Sequence, residues 1–125
     1  MTSASHNGSI FQAFSAMAEK YPDKTAVVFL GTKFSYKKLH TLCERFAAGL
    51  ASVGLKERDR ILMYIPNSIH FVIAWLGIQR LGAVAVPITP IYTPKDLNYI
   101  ANDTGAKAVV CSDRNYGYVR RSMPD

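Results

Sequence analysis

Three short segments carry residue types able to do chemistry: Pro66-Asn67-Ser68, the turn Thr89-Pro90-Ile91-Tyr92-Thr93, and Ser112-Asp113-Arg114. Each follows an apolar, strand-like run, and ligands of open α/β sheets bind beyond such carboxyl ends. Two of the three lead into helix starts, whose free backbone N–H groups attract anions. Asn67 and Thr93 fit two roles there, as donors to a phosphate or carboxylate or as helix caps, and capping alone accounts for their residue types. Nucleophilic chemistry finds no support: His6 lies in a polar head, His40 on a helix face and His70 near the turn at Asn67, and no serine sits in a G-x-S-x-G elbow. Gly49 with Gly54, and Gly77 with Gly82, have the G-x-x-x-x-G spacing. Neither pair precedes Lys-Ser or Lys-Thr, and each spans a helix end rather than a strand-to-helix turn, so neither is a phosphate loop. No G-x-G-x-x-G is present, and no His, Cys, Asp or Glu cluster has metal-ligand spacing.

Cys43 and Cys111 are distant in sequence and form no C-x-x-C pair, so they read as two small buried thiols. Phe71, Trp75, Tyr92 and Tyr99 follow helix or turn periodicity, which makes core packing their default role. The 125 residues make one domain or part of a larger one, and with 49% of them apolar a core can form. The net charge of +6 is scattered over Lys33, Lys37, Lys38, Lys56, Arg58, Arg60, Arg114, Arg120 and Arg121. No run of like charge is long enough for a nucleic-acid tail, so no nucleic-acid partner is expected. Residues 1–9 lack a signal-peptide core, and the longest apolar run, Phe71 to Ile78, is too short to span a bilayer. A cytoplasmic location is expected, with peripheral membrane contact left open.

The elements that must position these residues follow from pattern. Residues 1–8 read as a flexible head, and 9–125 as one structural unit. Ser9 opens a helix with Gln12 placed for a capping box, and Pro22 stops it. Thr25 to Leu30 and Lys33-Phe34-Ser35 form a hairpin around Gly31-Thr32. Ser35 caps a helix whose face carries Leu39, Leu42, Cys43, Phe46, Leu50 and Val53, closed by a left-handed Gly54. Arg60–Ile65, Ala83–Ile88 and Lys107–Ser112 read as core strands, apolar on both faces as covered parallel strands are. Between them lie a helix over 68–81, apolar nearly all round, and a helix opened by Thr93-Pro94-Lys95-Asp96 and ended by Gly105. Asp113 to Ser122 starts a further helix or turn. The fold class is α/β: parallel βαβαβ layers with right-handed crossovers, preceded by a helix and a short hairpin, and forming a partial domain.

An ordered series of pieces resembles the N-terminal part of the AMP-forming acyl-CoA synthetases, the adenylate-forming ligases, over about residues 10–123. It runs through Phe34-Ser35-Tyr36 and Leu39, Gly54-Leu55, Asp59-Arg60, Pro66-Asn67-Ser68, Gly82 to Pro87, Thr89-Pro90, Thr93-Pro94 and Ala106 to Val110. Two positions depart from the family pattern: Arg58, where a glycine is usual before Asp59, and His70, where an acidic residue is common.

The resemblance implies an ATP-dependent ligase of fatty-acid class, joining a carboxylic acid to coenzyme A with release of AMP and pyrophosphate. It implies ATP, Mg²⁺ and coenzyme A for the full-length enzyme, none of them expected to bind this segment tightly. The family's phosphate loop, Mg²⁺ motif, ribose-binding Asp and mobile-domain Lys all lie downstream of residue 125. Stabilising the pentavalent phosphate requires those donors and the metal, so no catalytic or metal-binding residue is expected here and the segment alone should be inactive. By the same resemblance, Pro90 and Ile91 correspond to a segment beside the pantetheine tunnel, and Arg120 and Arg121 lie near the site of the nucleotide's 3′-phosphate. For the two arginines, a solvated helix face is the competing reading. A second function class is a non-catalytic module that forms a homodimer or binds a partner through the very apolar helix 68–81.

Overall fold

The structure, a computed structural model, describes residues 2–89, 91–113 and 116–122. The elements run α1 (Thr2–Lys20), β1 (Thr25–Phe29), β2 (Thr32–Ser35), α2 (Tyr36–Ser52), β3 (Arg60–Tyr64), α3 (Ile69–Leu81), β4 (Val84–Pro87), α4 (Pro94–Thr104), β5 (Ala108–Cys111) and α5 (Tyr116–Ser122). β3, β4 and β5 form a parallel sheet in the order β4-β3-β5, with Leu62 paired to both Val86 and Val109. The chain thus crosses from β3 to β4 in one direction and from β4 back over β3 to β5 in the other. With right-handed crossovers, the two connecting helices fall on opposite faces.

The side chains of β3 follow that rule. Ile61, Met63 and Ile65 point into a core with Leu50 of α2 and Ala74 and Ile78 of α3. The alternate residues reach the region of α4: the Arg60 guanidinium donates to the Thr104 carbonyl at 2.7 Å, and the Tyr64 hydroxyl donates to the Tyr92 carbonyl at 2.5 Å. β3 is therefore bonded to the turn before α4 and to the last residue of α4, and Ile61, Leu62, Met63 and Tyr64 are fully buried. A second core lies outside α2 and α3, where Phe11 of α1 and the hairpin residues Val27 and Phe34 pack against Leu39, Cys43 and Leu76. The very apolar α3 thus lies between two cores and needs no surface of its own; of its residues only His70 and Arg80 are exposed. Gly77 makes the α2–α3 approach possible, because a Cβ there would stand 2.7 Å from Phe46 Cδ2 and 3.1 Å from the Cys43 carbonyl.

The caps agree with the sequence at several places. The Ser35 hydroxyl accepts from the Lys38 N–H. Gly54, at φ +96°, closes α2 with the paired bonds of a Schellman end: Gly54 N–H to the Ala51 carbonyl and Leu55 N–H to the Leu50 carbonyl. Thr93 and Asp96 form a complete capping box. Other details differ. α1 begins at Thr2, not at Ser9, for no proline interrupts residues 2–8 and an established helix extends at small cost. The hairpin turn is Leu30-Gly31, one residue earlier than expected, since Phe29 pairs with Thr32. Both turn residues have positive φ, +50° and +82°, as a two-residue hairpin turn requires. Val53 caps α2 and is exposed, so it is not on the buried face.

Candidate functional site

The order β4-β3-β5 puts the topological switch between β3 and β5, and that is where an open α/β sheet leaves a crevice beyond its carboxyl ends. A cavity of about 530 Å³ lies there. Ile65 and Pro66, which follow β3, and Val110 and Cys111 from β5 form one wall, and Phe46, Ile73 and Ala74 of the two helices form the other. Its polar groups are Ser68, His70, Ser112 and Asp113, so two of the three segments singled out from sequence do converge. The chemistry of the lining suits an apolar group with a polar end.

Sequence and structure disagree on the cap beside this crevice. Ser68, not Asn67, caps α3: its hydroxyl accepts from the Phe71 N–H at 3.2 Å, while Asn67 is exposed outside the helix. A serine one residue nearer the helix takes the role because its backbone is already extended, at φ −169°. At the second segment Thr93 is fully engaged: its hydroxyl accepts from the Asp96 N–H, and the Asp96 carboxylate accepts from the Thr93 N–H. His70 is exposed on the crevice rim.

Burial disfavours the thiolate at both cysteines. Cys43 is buried in the α2–α3 seam, and its pKa is pushed up to about 12 by burial and by the Glu44 carboxylate. Cys111 lines the crevice half-buried, so it is less enclosed than expected; burial and then the Asp113 carboxylate raise its pKa. Tyr92 and Tyr99 are exposed, not core residues, with Tyr99 on the outer face of α4. Phe71 and Trp75 pack on the core as expected.

Of the residues that the resemblance assigns to coenzyme A, Ile91 stands in the turn after β4 and is 85% exposed. Pro90 lies outside the described residues. Arg120 and Arg121 form the last turn of α5, which packs against α4, and both are exposed. The Arg121 Nε donates to the Gly117 carbonyl at 3.3 Å. The structure therefore brings the first and third segments together at one crevice, and leaves Ile91 and the arginines on separate elements beside α4. Among the described residues no group of three His, Cys, Asp or Glu is placed to hold a metal ion. Among them, too, no helix is long and apolar enough to cross a membrane.

The segment is a doubly wound α/β unit with a crevice at its switch point, the place where open α/β sheets bind ligands. Residues 14–123 match the family model described as AMP-binding enzyme. The chain belongs to that family. It is 36% identical over 103 residues to the long-chain-fatty-acid–CoA ligase of Salmonella typhimurium, covering 82% of this chain and 18% of that protein. It is 30% identical over 106 residues to a mitochondrial medium-chain acyl-CoA ligase of Mus musculus. Its fold matches the N-terminal domain of FACL13 from Mycobacterium tuberculosis with a TM-score of 0.85 and 28% identity, over 93% of this chain and 30% of that one. A benzoate CoA ligase from Burkholderia xenovorans matches with the same TM-score of 0.85 at 25% identity, over 92% of this chain and 24% of that one. The chain thus spans less than a fifth of the curated long-chain ligases it matches.

The sequence alone did not reveal the Tyr64–Tyr92 bond, which ties the central strand to the turn before α4. Nor did it place His40 against α1. His40 and Glu44 stand one helical turn apart in the sequence, but their partner Ser15 comes from another helix and only the fold supplies it.

Proposed function

We propose that this chain is the scaffold portion of an ATP-dependent acid–coenzyme A ligase, which converts a carboxylic acid of fatty-acid class, ATP and coenzyme A into acyl-CoA, AMP and pyrophosphate. The match to the AMP-binding family over residues 14–123, with curated long-chain ligases among the relatives, is the observation that carries the reading. In it, the segment contributes the β4-β3-β5 sheet and one side of the coenzyme path, and performs no adenylation by itself. The turn Thr89-Pro90-Ile91 lies beside the pantetheine arm, and Arg120 and Arg121 meet phosphate. An exposed apolar side chain at Ile91 and two exposed guanidinium groups on α5 suit those two parts of the coenzyme. The protein is cytoplasmic in this reading.

The acid is set elsewhere in the ligase. Support comes from the likeness of this fold both to a fatty acyl CoA synthetase and to a benzoate CoA ligase, whose acids differ greatly in size and shape. The homodimer reading loses its motive, since α1, α2 and the sheet cover the apolar faces of α3 within one chain.

Titration of the ¹⁵N-labelled chain with coenzyme A tests the coenzyme assignment. Weak binding in the millimolar range is expected, with shifts at Ile91, Arg120 and Arg121, and loss of the arginine shifts in Arg120→Ala/Arg121→Ala. Shifts confined to other elements, or none at millimolar coenzyme, would remove these residues from the path.

A further inference from the structure

A second constellation lies on the opposite side of the helical layer from the sheet, in a groove of about 570 Å³ between α1, α2 and α3. The Ser15 Oγ of α1 is 2.9 Å from the His40 Nε2 of α2, and the His40 Nδ1 is 3.3 Å from the Glu44 Oε1 one turn further on. A carboxylate only accepts, so in the tautomer that carries its proton on Nδ1 the ring turns that proton toward Glu44 and leaves Nε2 to accept from the Ser15 hydroxyl. This is the order of groups that activates a serine: hydroxyl, imidazole base, and a carboxylate that fixes the tautomer and steadies the imidazolium. The ring is held in place, 5.2 Å from the Phe11 ring and stacked at 5.7 Å on that of Phe14. Glu44 is oriented in turn by Arg80, whose Nε is 4.0 Å from its other oxygen. Ser15 is half-buried and lines the groove, so a small reagent can reach it.

We propose that Ser15 is an activated nucleophile that takes an acyl group from an activated ester, a reactivity independent of the ligase reading. A plain hydrogen-bonded link between α1 and α2 would need the serine and the histidine alone. The Glu44 carboxylate within ion-pair reach of Nδ1 and the adjoining cavity are what a nucleophile requires in addition. The backbone N–H groups of α1 and α2 are committed to their helices, so a developing oxyanion finds only side-chain donors such as Gln12, Lys37 and Arg80 along the groove. That restricts the donor to esters with good leaving groups, such as aryl esters, and excludes amides. In the step, the Oγ–carbonyl carbon bond forms as the hydroxyl proton passes to His40 Nε2. The bond to the leaving oxygen breaks, and that oxygen departs with the electron pair and takes the proton from Nε2. An ester on Ser15 and a neutral imidazole remain.

The test is p-nitrophenyl acetate on the 125-residue chain, read by p-nitrophenol release and by peptide mass mapping. Acetyl on Ser15 is expected to appear at least tenfold faster than on Ser52 or Ser68. His40→Gln should slow Ser15 acetylation on the order of a hundredfold, the ordinary contribution of a general base. Glu44→Gln, an exposed substitution that leaves packing intact, should slow it about tenfold and lower the rate across the whole pH profile. Ser15 acetylation no faster than that of the other serines in the parent chain would overturn the proposal without any variant. So would a Ser15 rate unchanged in Glu44→Gln.

Discussion

The α2–α3 seam and the crevice beyond β3 and β5 share the same two helices, and Phe46 belongs to both. The seam is shut so tightly that a methyl group at Gly77 would collide with Phe46. The crevice, on the same helices, stays open at about 530 Å³. Each holds one cysteine, Cys43 sealed in the seam and Cys111 half-exposed in the crevice. The difference divides the chain's structure: close packing lies where α2, α3 and β3 meet, and open volume where β3 and β5 end.

Substitutions in the two regions should therefore differ by kilocalories. Met63 is fully buried at the centre of the closed side, and Met63→Ala should cost about 2–5 kcal/mol in urea unfolding. His70→Ala on the crevice rim should stay within about 0.5 kcal/mol of the parent. Equal losses at the two sites would erase the distinction. The seam also makes stability fall at alkaline pH. Cys43 has a folded pKa raised from 9.0 to about 12, so the unfolded chain releases this proton first. Its contribution is complete below pH 9 and is lost as pH rises from about 9 to about 12. The parent should lose roughly 2–3 kcal/mol relative to Cys43→Ala by about pH 11. Iodoacetamide should alkylate Cys111 in the folded chain and leave Cys43 untouched until unfolding, and early alkylation of Cys43 would contradict a shut seam.

Gly77→Ala should cost about 1–3 kcal/mol, because the backbone carbonyl of Cys43 cannot yield as a side chain does. The smallest effect lies outside both regions. Arg58 has a left-handed φ of +73°. Arg58→Gly should raise stability by about 1 kcal/mol, since a side chain in that conformation is strained. A thermal melt without an upward shift would show the strain to be relieved elsewhere.

Legibility in the sequence followed the range of the signal. The parallel strands, the αL ends at Gly54, Gly82 and Gly105, and the Thr93–Asp96 box are set by residues within one turn of each other, and each is where the pattern puts it. The cap at Ser68 shows the limit, for Asn67 and Ser68 are both good caps and only the backbone chooses between them. The burial of α3 was legible from its composition, but what covers it was not: α1 docks through Phe11, whose partners stand some 30 residues away or more. The candidate crevice was readable as three strand ends, while the strand order that joins the first to the third depends on long-range pairing. The Ser15–His40–Glu44 relay depends on the docking angle of α1 and left no local trace for the serine.

The central claim is that this chain supplies the scaffold of a ligase whose reactive groups lie elsewhere. Carboxylate-dependent exchange of labelled pyrophosphate into ATP by the purified 125-residue chain, over a panel of fatty and aromatic acids, tests it most directly. No exchange above the protein-free rate is the predicted result. Exchange that depends on a carboxylic acid would mean that adenylation machinery resides within these residues and would contradict the account.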